Sequence, residues 1–311
     1  MQSTKQFESA VDNSPFALGN DSAYRRWREQ KLAVAVTEPS DLIVSVKDPR
    51  RLQDDEHRAL LERLRRCNMA IYQCEQPGTV GKEEIRQFGR QLGLQRLDPN
   101  MLADDDGITS LQTEVRKSDR GYIPYSDKRL LWHTDGYYNP PERKIRAMVL
   151  HTVQNAVEGG DNELLDHELV YLLMRDADPG FISALMAPDA MTIPANEEVG
   201  GEVRPAQTGP VFSIEPESGD LHMRYTARTR SIEWKNDDLT RQAVELLQSI
   251  LASNQYVIRH RMEPGQGLVC NNVLHNRTAF RNDAESGISR LVFRARYYDR
   301  IADTHWYQLG N

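Results

Sequence analysis

The residues best suited to chemistry lie in the run LWHTDGYY, which occupies positions 131–138. His133 and Asp135 are two positions apart, and residues at i and i+2 near a strand end project to the same side. They can therefore offer one imidazole nitrogen and one carboxylate oxygen to a single point. A borderline divalent metal such as Fe(II) accepts both ligand types. A polar strand end without a metal is the ordinary alternative for this spacing alone.

A third ligand is expected far along the chain. Residues 264–267 are typical of a turn and residues 268–272 of the strand that leaves it, and a short apolar run then ends at His275. Together with His133 and Asp135, His275 would form a two-histidine, one-carboxylate face with open positions opposite, as in non-heme Fe(II) oxygenases. A hydrogen-bonded core histidine is the alternative for His275.

Two arginines follow on a predicted strand over residues 290–298. Arg290 opens this strand, and its planar guanidinium can grip a carboxylate with two parallel hydrogen bonds. The alternative is a surface salt bridge, which contributes roughly 0–1 kcal/mol. Arg294 is four residues further on and points the same way on a strand. A second guanidinium in the pocket would favour an anionic substrate, and a structural ion pair is the alternative.

These motifs, taken in order, carry a family resemblance. The segments 133–135, 159–161 and 272–280, followed by Arg290, resemble the taurine dioxygenase and clavaminate synthase-like superfamily of Fe(II)- and 2-oxoglutarate-dependent oxygenases. The end of the pattern, residues 288–299, is also similar to gamma-butyrobetaine hydroxylases. The resemblance spans roughly residues 40 to 300, and its strength lies in four pieces in the right order.

The resemblance implies roles for five residues. His133, Asp135 and His275 would hold Fe(II) and act as the catalytic set, and Arg290 would grip the distal carboxylate of the cosubstrate 2-oxoglutarate. The taurine dioxygenase pattern has a threonine where this chain has Asn162. An amide can donate the same hydrogen bond to that carboxylate, so Asn162 is a predicted cosubstrate contact that departs from the family pattern.

Predicted substrate contacts are less specific. In taurine dioxygenase an arginine at the offset of Arg294 contacts the substrate sulfonate. Aromatic side chains can form a cage for a quaternary ammonium group, although ordinary packing is the commoner use. The aromatic candidates are Trp132, Tyr137, Tyr138 and Tyr225, and the polar ones are Asn139, Arg146 and Arg294.

The pattern of elements predicts a mainly β fold with peripheral helices. Many short strands separated by turn signals favour a closed or sandwiched sheet, with four of them between residues 189 and 225. Amphipathic helices are predicted at 54–66, 82–92 and 237–253. The resemblance implies a double-stranded β-helix, or jelly-roll, core.

Two segments are predicted, a polar N-terminal arm over residues 1–40 and a single jelly-roll oxygenase domain over residues 41–311. Residues 24–30 suit a short helix within the arm. The acidic loop at residues 104–106 is interpreted as solvated, because calcium loops place their ligands at alternate positions.

Composition excludes several classes of protein. The chain has 311 residues and a net charge of −7, without a basic run, which argues against nucleic-acid binding. No signal peptide is seen, and no apolar run approaches the ~20 residues of a membrane span. Three cysteines match neither a disulfide set nor a zinc pattern. These features predict a cytoplasmic protein without a membrane partner, and a homo-oligomer is left open.

The predicted function is that of an Fe(II)- and 2-oxoglutarate-dependent dioxygenase. It would use O2 to hydroxylate a small anionic or amino-acid-like metabolite, with release of succinate and CO2. The sequence determines neither the identity of the substrate nor whether the oxidation is a hydroxylation, a desaturation or a cyclisation. Two alternatives remain open, a jelly-roll protein that binds a metal or ligand without turnover, and a metal-dependent hydrolase that needs no O2.

Overall fold

The computed structural model describes residues 10–99, 107–113, 123–196, 204–229, 232–283 and 285–309. The acidic loop at residues 104–106 lies outside these ranges, so its interpretation stays a prediction. The α-helices of eight residues or more are α1 (Asp21–Ala33), α2 (Asp54–Cys67), α3 (Lys82–Gln91), α4 (His167–Ala177), α5 (Pro179–Met186) and α6 (Asp238–Ala252).

Short strands alternate with these helices. In chain order they are β1 (Ile43–Val46), β2 (Met69–Cys74), β3 (Thr109–Leu111), β4 (Leu130–His133), β5 (Ala147–Gln154), β6 (Glu158–Gly159), β7 (Asn162–Leu165), β8 (Met191–Ile193), β9 (Gln207–Gly209), β10 (Phe212–Ile214), β11 (Leu221–Met223), β12 (Glu233–Trp234), β13 (Ile258–His260), β14 (Gln266–Cys270), β15 (Leu274–Arg277), β16 (Phe280–Arg281) and β17 (Leu291–Tyr297).

Two sheets position the residues of interest. The larger has six strands in the order β1-β2-β14-β5-β17-β3, and the smaller has four in the order β13-β7-β15-β4. Met148 and Leu268 of the larger sheet pack in one buried apolar cluster with Leu164 and Ile258 of the smaller. The two sheets therefore face each other across an apolar layer. The predicted histidines belong to the smaller sheet, and the predicted arginines lie at and beside β17 of the larger.

Helices α2 and α3 cover the outer face of the larger sheet. Leu60 and Leu64 recur at helical spacing on α2 and are fully buried. The helix begins where the Glu56 carboxylate accepts a hydrogen bond from the Gln53 amide at 2.8 Å. It ends at Asn68, whose φ of 58° is the left-handed conformation common at helix C-termini.

The predicted elements are largely confirmed. The helices expected at 54–66, 82–92 and 237–253 are α2, α3 and α6, and the four strands expected between residues 189 and 225 are β8 to β11. The prediction of a mainly β chain is confirmed only in part, because 33% of residues are helical and 26% lie in strands. Helices α4, α5 and α6 supply part of this helical share, and they pack in one apolar cluster with residues of β8, β10 and β11.

None of the helices within the described ranges combines the length and the apolar character that crossing a membrane requires. All three cysteines are buried and unpaired.

The described part of the N-terminal segment contributes to the core. Tyr24 and Trp27 of α1 lie in the same apolar cluster as α4 to α6. Lys31 is fully buried, and its ammonium lies 2.6 Å from a carboxylate oxygen of Asp166 and 2.5 Å from one of Glu168. The sequence pattern predicted a short helix here over residues 24–30, and the helix extends to Asp21–Ala33.

Replacing Lys31 with methionine should lower the free energy of unfolding by about 3–5 kcal/mol, because two buried carboxylates would lose their shared cation. Urea unfolding measures the loss. Lys235→Met is the matched control, since Lys235 is exposed and pairs with exposed Asp189 at 3.1 Å. The control should change stability by less than about 0.5 kcal/mol. Equal effects of the two substitutions would contradict the assigned role of the buried ion pair.

Candidate metal centre

The two predicted histidines face each other across neighbouring strands. His133 is the last residue of β4 and pairs directly with His275 of β15 in an antiparallel register. Directly opposed residues project to the same face of a sheet, and the centroids of the two rings are 4.2 Å apart. The register of the smaller sheet thus brings together two residues that are distant in sequence.

Asp135 completes the cluster. One potential ligand atom from each of His133, Asp135 and His275 lies within 4.8 Å of the other two, and all three residues are buried. The Nε2 atom of His133 is 3.9 Å from Oδ1 of Asp135. Among the described residues, this cluster meets the condition that three or more His, Cys, Asp or Glu side chains lie close enough to share one metal ion.

Backbone carbonyl groups set the orientation of both imidazoles. Nδ1 of His133 is 2.9 Å from the Leu131 carbonyl oxygen, and Nδ1 of His275 is 3.0 Å from that of Val273. A carbonyl oxygen only accepts, so each Nδ1 carries the proton and each Nε2 keeps a free lone pair. Burial, and then the neighbouring His275, lower the pKa of His133 to about 3, so its ring is neutral near pH 7.

Asp135 supplies the negative charge. Burial by itself would raise its pKa, but the guanidinium groups of Arg294 and Arg296 hold that pKa below the ordinary value. Oδ1 accepts a long hydrogen bond of 3.4 Å from Arg294. Oδ2 is buried and has no hydrogen-bond partner among the described residues. A buried anionic oxygen without a partner is costly, and a divalent cation beside two free imidazole lone pairs would satisfy it. The residues therefore fit iron.

The loop that carries Asp135 is held by Asn272, a residue that the sequence analysis did not single out. The Asp135 amide donates to Oδ1 of Asn272 at 2.8 Å, and Nδ2 of Asn272 donates to the carbonyls of Asp135 at 3.0 Å and Ile145 at 2.7 Å. Gly136 follows with a φ of 69°, and a Cβ there would lie 2.4 Å from Ile145. Asn272 itself has a φ of 50°. The sequence signal that could have identified Asn272 is an asparagine at the end of a predicted strand, since asparagine adopts the left-handed conformation more readily than most residues.

Arg290 is a buried cation without an acidic partner among the described residues. Its guanidinium carbon lies 5.2 Å from the ring centroid of Phe280. Burial, and then the nearby Arg277, lower the pKa of Arg290 to about 9. A desolvated guanidinium with no counterion is a favourable place for an anion.

Asn162 lies on the same face of the smaller sheet as the histidines. It pairs with Arg277 across β7 and β15, two positions from the pairing of Leu164 with His275. Its Nδ2 donates to the Asn276 carbonyl at 3.1 Å. One amide hydrogen is used by the protein, and the second is available to a ligand.

The two tyrosines after Asp135 lie near the cluster. The ring of Tyr137 stands edge-on to His133, with centroids 6.4 Å apart. The Tyr138 hydroxyl accepts a hydrogen bond of 2.9 Å from Arg296. Arg296 is almost fully buried and also pairs with the buried carboxylate of Asp98. This Asp98 pair anchors the Tyr138 side of the site, and the sequence analysis missed it.

The other predicted substrate contacts have partners within the protein, and Asn139 also lines a pocket beside Asp135. Trp132 and Tyr225 are buried in the apolar cluster of α4 to α6. The Asn139 side chain donates to the Arg143 carbonyl at 2.9 Å. Arg146 pairs with Glu215 at 2.8 Å. Each of these four has a structural partner in the protein.

Two imidazoles on one sheet and a carboxylate on the loop that follows β4, with an arginine beside the facing sheet that has no acidic partner among the described residues, indicate the class of non-heme iron oxygenases. The chain belongs to the Taurine catabolism dioxygenase TauD, TfdA family, whose model matches residues 32–296. It is a 2-oxoglutarate-dependent non-heme iron dioxygenase, with Fe(II) as cofactor and 2-oxoglutarate as cosubstrate. The predicted class of enzyme is confirmed.

Solved structures share the fold at low sequence identity. A taurine dioxygenase from Burkholderia xenovorans is 15% identical, with a TM-score of 0.54 over 82% of this chain and 87% of that one. The non-heme iron oxygenase OrfP with Fe and alpha-ketoglutaric acid is 17% identical, with a TM-score of 0.58 over 87% and 89%. An asparagine oxygenase with Fe(II), hydroxyasparagine and succinate is 14% identical, with a TM-score of 0.54 over 79% and 82%.

Proposed function

We propose that His133, Asp135 and His275 hold the iron of this dioxygenase and that Arg290 grips the distal carboxylate of 2-oxoglutarate. One observation carries the first assignment. Both Nδ1 atoms are engaged by carbonyl groups, so two free Nε2 lone pairs and a partnerless carboxylate oxygen remain in one buried cluster. When bound, iron and 2-oxoglutarate activate O2, with decarboxylation of the cosubstrate to succinate and CO2.

The chain's own residues orient the reactants and exclude water. Arg294 balances the charge of Asp135, and its Nε is buried without a partner among the described residues. This nitrogen supports a contact of Arg294 with a bound anion. Asn162 offers its remaining amide hydrogen to the cosubstrate on the face that carries His275. The Tyr137 ring stands edge-on to the buried His133 ring, on the side of the pocket that adjoins Asp135.

We propose that the substrate is a small anionic or amino-acid-like metabolite and that the reaction is a hydroxylation. A pocket lined by Asp135, Tyr137, Lys144 and Arg224 adjoins the cluster. Lys144 lies 3.0 Å from Glu215, whereas the guanidinium of Arg224 donates to carbonyl oxygens and has no acidic partner among the described residues. The surplus of positive charge favours an anionic group. OrfP and the asparagine oxygenase were solved with hydroxylated amino acids, which supports this substrate class.

We also propose that the two facing sheets are the halves of a double-stranded β-helix and that residues 41–311 form one oxygenase domain. The apolar layer that both sheets share supports the first proposal. The burial of Tyr24 and Trp27 implies that part of the segment 1–40 packs on this domain rather than standing apart.

Anaerobic titration of the Fe(II)-loaded protein with 2-oxoglutarate tests the proposed function. A visible charge-transfer band should grow and saturate at one equivalent. Admission of O2 in a screen of anionic and amino-acid metabolites should then release succinate in step with a hydroxylated product. A band without succinate release would favour a binding protein, and turnover without O2 would favour a metal-dependent hydrolase.

A further inference from the structure

An aromatic ring holds the Arg290 side chain, and none of the acidic residues in the described ranges pairs with it. The guanidinium carbons of Arg290 and Arg277 lie 5.2 Å and 4.6 Å from the centroid of the same Phe280 ring. All three residues are buried. An aromatic face attracts a cation without neutralising its charge, so Arg290 is held in place while its charge remains available.

The position of Phe280 is determined by its backbone. Its amide donates to the Asp127 carbonyl at 3.0 Å, and it pairs with Gly159 between β16 and β6. A Cβ on Gly159 would lie 2.1 Å from the Ala279 carbonyl oxygen, and one on Gly160 would lie 3.5 Å from Nε of Arg290. The missing side chain at Gly159 thus lets the chain pass close to the segment that carries Phe280, and Gly160, whose φ is 81°, lies next to the Arg290 side chain.

Arg277 brings a second positive charge to the same place. It donates to the carbonyl oxygens of Ser126 at 2.8 Å and Thr278 at 3.3 Å, and also to that of Lys128. Carbonyl oxygens satisfy its hydrogen bonds but do not neutralise its charge, and the Asp127 carboxylate, which favours that charge, forms no ion pair with it among the described residues. An anion beside Arg290 would therefore interact favourably with two guanidinium groups that share one ring.

We infer that Phe280 is a positioning residue for Arg290 and that Arg277 is a second positive charge of the site for the distal carboxylate of 2-oxoglutarate. The inference rests on the proposed function, in which Arg290 grips that carboxylate. An acidic partner would hold Arg290 equally well but would compete with the incoming carboxylate. A ring that fixes the rotamer in advance lowers the entropy lost on binding.

The ring can be removed with little change in volume. In the Fe(II)-loaded full chain, Phe280→Leu and Phe280→Met should each raise the anaerobic Kd for 2-oxoglutarate by about tenfold, and Phe280→Tyr, which keeps the ring, should stay within about threefold of wild type. Two ring-free variants are compared so that poor folding of one, detected by thermal melting, does not end the experiment. Under turnover the KM for 2-oxoglutarate should rise and kcat at saturation should hold.

Phe293→Leu is the matched control. Phe293 lies on β17, three residues after Arg290, and packs on the opposite face against the cluster of α2 and α3. It should leave the Kd for 2-oxoglutarate unchanged. Arg277→Met should weaken 2-oxoglutarate binding more than Arg277→Lys, which keeps the charge.

A second ligand separates positioning from a general structural role. 2-Oxopentanoate has the same chain length as 2-oxoglutarate and a methyl group in place of the distal carboxylate. Its Kd should be the same in wild type and in the ring-free variants. Equal 2-oxoglutarate affinity in wild type and both ring-free variants, or equal weakening of both ligands, would overturn the inference. Absence of 2-oxoglutarate binding in wild type would instead overturn the proposed function.

Discussion

Asp135→Ala should abolish the anaerobic charge-transfer band and lower succinate formation by more than about 100-fold. Asp135 is the one carboxylate of the buried cluster, and its Oδ2 has no other partner among the described residues. Loss of a group that merely supports a ligand typically costs 10–100-fold in metal affinity or activity, so loss of a ligand itself should cost more. The measurements are titration of Fe(II) and 2-oxoglutarate without O2, followed by succinate release in air.

The control for this substitution is Asp189→Ala. Asp189 is exposed and, among the described residues, forms an ion pair with the exposed ammonium of Lys235 alone, so the charge-transfer band and turnover should match wild type. Thermal melting of both variants separates loss of iron from loss of fold. Full turnover of a folded Asp135→Ala variant would show that the ligand assignment is wrong.

Arg290→Met should weaken 2-oxoglutarate binding by about 100-fold or more. Truncating one partner of a buried, hydrogen-bonded charge pair costs roughly 2–5 kcal/mol, and about 1.4 kcal/mol corresponds to a factor of ten. Without ligand, Arg290 is a desolvated cation that no acid among the described residues neutralises. Its replacement should therefore leave the melting temperature of the free protein unchanged or higher, because the cost of burying that charge disappears.

This combination of weaker binding and undiminished stability distinguishes a ligand-binding arginine from a structural one. Arg281→Met is the control, since Arg281 is exposed and lies 3.4 Å from exposed Glu158. Arg281→Met should change neither the affinity for 2-oxoglutarate nor the melting temperature. A folded Arg290→Met variant that binds 2-oxoglutarate as tightly as wild type would refute the cosubstrate assignment, whatever the iron ligands are.

Sequence alone was sufficient wherever a property depends on local spacing. The separation of His133 from Asp135 follows from the alternation of side chains along an extended chain. The same rule places Arg294 and Arg296 on one side of β17, and the structure has both of them buried, as it does Arg290 just before the strand. Amphipathic repeats likewise predicted α2, α3 and α6. The order of the motifs carried the family resemblance, and that resemblance implied the class of enzyme.

Contacts between distant segments were decided only by the folded chain. The direct pairing of His133 with His275 depends on the register of β4 and β15, and no local pattern encodes that register. Asn272, Phe280 and Arg277 lie within the motif segment 272–280, but their roles could not be assigned from sequence, because their partners become neighbours only when the turns and sheets assemble. The burial of a charged residue likewise depends on partners that are distant in sequence. Lys31 lies in a polar stretch of sequence, yet it is buried because Asp166 and Glu168 arrive from another element and compensate its desolvation.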